Sequence, residues 1–139
     1  MVGVERPRVK AALAFALAAA CARSQTEQMV THVEVLTALA RKGVDLVASR
    51  RLTAESLPEL TYPFERAGVF AREARAAGRT QPAALDAFEL LLARYRDFLD
   101  ALDRVRRTER GEAARAALAE TLGAVEVAGQ RVRATLAPG

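Results

Sequence analysis

From Gln25 to Leu136 apolar residues recur three or four positions apart in four separate windows, the spacing that keeps one face of an α-helix apolar. The first window is Met29, Val33, Leu36, Ala40, Val44 and Val47. Gly43 lies near its end, and Arg50-Arg51 close it with the charge that suits a helix C-terminus. Thr53 then has the character of an N-cap, with Glu55 in the turn that follows. Pro58 and Pro63 predict a short helical turn or a kink near 54–61 rather than one uninterrupted helix. The second stripe is Leu60, Phe64, Ala67, Ala71 and Ala74, stopped by Gly78. Thr80 and Pro82 restart the third helix, whose stripe is Leu85, Phe88, Leu92, Tyr95, Leu99 and Leu102, widened by a second row at Leu91, Phe98 and Val105. A face this broad predicts burial against two neighbours rather than one. After a break at Glu109-Arg110-Gly111 the fourth stripe runs through Ala114, Leu118, Leu122, Val125, Val132 and Leu136.

No window shows the two-residue alternation of a strand, so the expected fold class is all-α. The breaks are too short for a crossover, which makes consecutive helices antiparallel and the arrangement an up-down-up-down four-helix bundle. Helices of this size are about 35 Å long at 1.5 Å per residue. The bundle is expected to form one domain over residues 23–139, with residues 1–22 set apart from it.

Residues 1–22 have a different layout. A charged start, MVGVERPRVK, leads into an uncharged apolar run from Ala11 to Ala22 and then into polar RSQTEQ. Charged region, short apolar region and small residues in that order form the pattern of a secretory signal peptide. The run is shorter than the roughly 20 residues that span a bilayer. Its end, Leu17-Ala18-Ala19-Ala20-Cys21, resembles the lipobox of bacterial lipoproteins, with Leu17 one place earlier than the motif prefers and Ala18 in its place. The resemblance implies cleavage just before Cys21 and lipidation of that cysteine, with attachment to a membrane through the lipid. Ordinary signal peptidase cleavage after Ala20 or Ala22 is the neighbouring variant. The same residues also fit a second form, an Ala-rich extension of the first helix with Pro7 in its first turn and Cys21 as a small buried residue. An apolar projection of that kind would drive oligomerisation.

Composition adds little to this and removes several functions. Hydrophobic residues make up 51% and charged residues 27%, the balance of a folded domain. Aromatics are 5% with no Trp, so the core must be built from Ala, Leu and Val. The formal charge is +4, but Arg6, Arg8 and Lys10 against Glu5 account for part of it. The remaining 18 basic and 16 acidic residues describe a solvated bundle rather than a nucleic-acid footprint. The excess of Arg and Ala points to the codon usage of a G+C-rich bacterial genome. One cysteine excludes an intrachain disulfide.

Four-helix bundles often carry metal or haem, yet no cofactor is expected here. A di-iron centre needs Glu-x-x-His pairs on two helices, and the chain has one histidine, His32, without a Glu three residues before it. Haem attachment through Cys-x-x-Cys-His, a zinc set and a glycine-rich phosphate loop are likewise missing from the sequence. His32 reads as a surface or supporting residue. Asp97 and Asp100 alternate with arginines, and Arg96/Asp100, Asp100/Arg104 and Asp103/Arg107 fall at pairing distance on the outer face. These carboxylates therefore read as solubilising rather than catalytic, and no enzyme activity is expected.

Two groupings stand out from the bundle's ordinary texture. Arg104, Arg106, Arg107 and Arg110 form the densest basic cluster, either stabilising a helix C-terminus or contacting an anion. Tyr62, Phe64 and Phe70, beside Pro58 and Pro63, form either a core plug or one wall of a partner groove. Taken together, the sequence predicts a non-enzymatic binding, adaptor or structural module on the periplasmic side of a bacterial envelope. A cytosolic oligomerising bundle is the alternative, and a nucleic-acid-associated one ranks below both.

Overall fold

The computed structural model describes residues 6–108 and 111–137, with side chains from residue 25 onwards. It is a four-helix bundle: α1 (Arg6–Ala48), α2 (Leu57–Ala77), α3 (Pro82–Arg107) and α4 (Glu112–Leu136), with a single 3-10 turn at Ala54–Ser56 leading into α2. No strand occurs among the described residues.

Helix boundaries follow local chemistry. Helix α1 ends in a Schellman motif, in which the Arg51 amide donates to the Leu46 carbonyl (2.8 Å) and the Arg50 amide to that of Val47 (3.1 Å). Arg50 sits at the left-handed position of this motif, with φ 58°. The predicted helical turn near Thr53 is the 3-10 turn, where the Thr53 amide donates to the Ser56 hydroxyl (3.3 Å). Helix α2 starts with Pro58 in its first turn and runs on through Pro63 to a left-handed Gly78, φ 66°. Gly78 is the residue that adopts this conformation without steric strain. Pro82 opens α3 with Gln81 as N-cap, while the Thr80 hydroxyl donates to the Gln25 side chain (3.1 Å) and ties the α2–α3 turn to α1.

The register is fixed by a few cross-helix contacts. Against antiparallel α4, α1 places Arg41 beside Glu126 (2.9 Å) and Glu34 near Arg133 (3.8 Å). Helices α1 and α3 run parallel, with His32 level with Phe88 and Gly43 level with Phe98. Lys42 meets Glu59 on α2, and Arg75 of α2 grips Asp86 (2.9 Å) and Glu89 (3.0 Å) of α3.

The cross-section is a flattened square. Helices α1 and α3 touch across its short diagonal, whereas α2 and α4 make no contact among the described residues. Gly43 permits that approach: a Cβ there would sit 2.8 Å from the Phe98 ring. It lies near the end of α1, as the sequence has it, and acts there as a packing residue. On α3, Leu91 and Phe98 are fully buried while Leu92 and Leu99 are partly buried. The centre of the buried face therefore lies between the two predicted rows, because α3 packs against all three other helices.

The core joins Met29, Val33, Leu36 and Ala40 of α1 to Leu60, Ala67, Phe70, Ala71 and Ala74 of α2, with the buried rows of α3 and Leu118, Val125 and Val132 of α4. No charged or polar side chain is buried among the described residues. The exception in chemistry is Tyr95, whose ring is fully buried and whose hydroxyl donates to the Leu60 carbonyl at 2.6 Å. The bond falls next to Pro63, which has no amide hydrogen and so gives the carbonyl four residues back, at Glu59, no helical donor.

Candidate functional site

The Tyr62, Phe64 and Phe70 grouping does not converge on one surface. Positions 62, 64 and 70 point in three directions on a helix with 3.6 residues per turn. Tyr62 is 58% exposed with the Arg66 guanidinium over its ring, whereas Phe70 is buried and packs edge-on against Phe88 (5.7 Å). Phe64 is partly buried, stacked on Tyr95 at 5.5 Å and covered by Arg96 at 5.6 Å. Two of the three aromatics thus belong to the core and one to solvent.

The basic cluster at the end of α3 is partly neutralised. Asp103 accepts from Arg106 and from Arg107, both at 3.1 Å. Arg104 is exposed and has no ion pair among the described residues, and Arg110 lies outside them. Of the predicted ladder, Asp103/Arg107 forms. Arg96 turns instead to Phe64, and Asp97 pairs with Arg94 (3.5 Å). An aromatic face at hand outweighs an exposed pair worth a few tenths of a kcal/mol. The side chain of Cys21 and the lipobox-like run before it lie outside the described side chains; the backbone there is the N-terminal part of α1.

His32 is partly buried rather than on the surface, its ring 5.0 Å from Phe70 and 6.2 Å from Phe88. Burial, and next the nearby Arg66 charge, hold its pKa below the usual 6.5. It is a neutral packing group at the junction of α1, α2 and α3. No three His, Cys, Asp or Glu side chains converge among the described residues, and no helix there is long and apolar enough to cross a membrane.

Among the described residues two clefts open along the α1–α4 seam. The first, of about 290 Å³, lies between the Glu34–Arg133 and Arg41–Glu126 pairs, with Thr37 and Gly129 at its base. Gly129 keeps it narrow: a Cβ there would come within 3.2 Å of the Thr37 hydroxyl. Charges of both signs line it and neutralise each other. The second, of about 330 Å³, lies where α1 ends and α4 begins. Val44, Val47, Leu118 and Ala119 line it together with two arginines, Arg50 and Arg115. Neither guanidinium has a hydrogen bond or ion pair among the described residues. In the sequence Arg50 is legible only as helix-end charge, and nothing marks Arg115. Their meeting depends on the α1–α4 register, which no local pattern encodes.

Comparison with protein-family models, with curated proteins and with solved structures gives no match.

Proposed function

We propose that the chain is a lipoprotein or exported protein of the bacterial envelope whose helical bundle is a non-enzymatic binding or adaptor module. The observation that supports this reading is the layout of residues 1–22: a charged start, an uncharged apolar run from Ala11 to Ala22, and a lipobox-like end at Cys21. The core among the described side chains starts at Met29, so a chain that begins at Cys21 retains it. The bundle's chemistry fits a module that binds rather than reacts: no ionic side chain is buried among the described residues, and the cleft at the end of α1 is lined by apolar and cationic groups.

The test is metabolic labelling with a radioactive fatty acid in a bacterial host, with membrane fractionation. Label in the wild-type protein that disappears in Cys21→Ala, with loss of membrane attachment, is the expected outcome. Unlabelled wild-type protein in the soluble fraction would overturn the proposal. The continuity of α1 from Arg6 to Ala48 favours a second reading, a cytosolic bundle that oligomerises through its long first helix. Under that reading deletion of residues 1–20 lowers the oligomeric state, measured by light scattering, without any labelling of Cys21.

A further inference from the structure

The cleft between the end of α1 and the start of α4 has two features that belong together. Its floor is apolar, made by Val44, Val47 and Leu118, and its rim carries Arg50 and Arg115. The helix ends contribute little net field, because the negative end of α1 and the positive end of α4 lie side by side and offset each other. Among the described residues that line it, the charge of the cleft is therefore that of the two guanidinium groups. Asp45 and Glu112 are near in sequence, but neither lines the cleft and neither pairs with the arginines. Elsewhere Arg41, Arg75, Arg94, Arg106, Arg107 and Arg133 pair with carboxylates, while Arg104 shares with Arg50 and Arg115 the lack of an ion pair among the described residues.

Backbone geometry singles out the same place. Among the described residues Arg50 is the non-glycine residue with positive φ, at a helix-terminal position that glycine occupies with less strain. The chain holds a long cationic side chain in a left-handed conformation at the mouth of an apolar cleft. Strain held at a cleft motivates a functional hypothesis.

We propose that this cleft binds a small amphipathic anion, an alkyl chain lying over Val44, Val47 and Leu118 with its carboxylate or phosphate head between Arg50 and Arg115. Arginine suits either head because its planar fork of donors matches two anionic oxygens. A volume of about 330 Å³ is at the lower end of the range for small-molecule sites and fits a medium-length chain rather than a long one. The proposal rests on the binding-module reading. It does not depend on the lipid at Cys21, so the labelling experiment and the one below fail independently.

The experiment is calorimetric titration of the full chain with decanoate and with decyl phosphate below their micellar concentrations. Decanol and decyltrimethylammonium serve as neutral and cationic controls. The two anionic arms identify which head is preferred. Arg50→Gly is the informative variant, because glycine fits the left-handed position and leaves folding intact. It is expected to weaken anion binding about tenfold, the scale of one lost charge-assisted hydrogen bond, with a thermal midpoint no lower than wild type. Arg115→Gln is expected to weaken binding by a similar factor, while Arg131→Gln, away from the cleft, leaves it unchanged. Equal binding of decanol, absence of binding by either anion, or wild-type affinity in both Arg50→Gly and Arg115→Gln would overturn the proposal.

Discussion

Replacing Tyr95 by Phe removes one oxygen atom from the centre of the bundle and nothing else. The ring keeps its stack on Phe64 at 5.5 Å and its contact with Phe98 at 5.7 Å. What is lost is the hydrogen bond of 2.6 Å to the Leu60 carbonyl, between a fully buried ring and a residue that is 1% exposed. A typical buried hydrogen bond contributes about 1 kcal/mol net, and a buried acceptor left without that donor costs about 1–3 kcal/mol. The upper part of that range is reduced because a carbonyl oxygen has two lone pairs and a helix supplies other donors nearby. The expected destabilisation is therefore about 1–2 kcal/mol, which for a chain of this size lowers the melting temperature by about 4–8 °C. Thermal unfolding followed by circular dichroism at the helical band measures it, with Tyr62→Phe as the exposed control expected to melt within about 1 °C of wild type. A melting temperature for Tyr95→Phe equal to or above wild type would refute the assignment of this buried bond as a net stabilising contact.

Gly43→Ala introduces a Cβ 2.8 Å from the Phe98 ring, and overpacking of that kind costs about 1–3 kcal/mol against the roughly 0.5–1 kcal/mol that alanine returns in helix propensity. A net loss is expected in urea unfolding, and a gain would show that α1 and α3 are not in close contact. His32 has its pKa lowered by burial and then by Arg66, so its unfolded form takes up a proton more readily than the folded form. Its contribution to stability is complete above the unfolded value of about 6.5 and is lost as the pH falls through and below that value. The urea midpoint should accordingly drop between pH 7.5 and 5.5 more steeply in wild type than in His32→Gln, and identical slopes would contradict the placement. Gly78→Ala forces a side chain into the left-handed conformation that ends α2, so a loss of about 1 kcal/mol is expected. An unchanged denaturation midpoint would rule that strain out.

How far the sequence carries the fold depends on whether the information is local. Helical spacing, Gly78, Pro82 and the break at Glu109-Arg110-Gly111 locate the elements because each acts within one turn of itself. Residues such as Met29, Leu36, Leu60, Phe88 and Val125 then fall in the core. The short diagonal between α1 and α3 is not legible, because Gly43 marks it only once Phe98 is known to lie opposite. Both rows of the α3 face are legible, but that its centre lies between them, leaving Leu92 and Leu99 at its margin, follows only from the packing of three helices against α3. At the candidate site, the grouping of Tyr62, Phe64 and Phe70 rests on nearness in sequence, and helical geometry separates those side chains. Arg50 and Arg115 are the converse case, brought to one cleft by a register that only packing determines.

The N-terminal reading is open to a direct measurement, the intact mass of the protein purified from a bacterial host that processes lipoproteins. The expected species begins at Cys21 and is heavier than the bare chain of residues 21–139 by its acyl groups. A single unmodified species that begins at Met1 would contradict it.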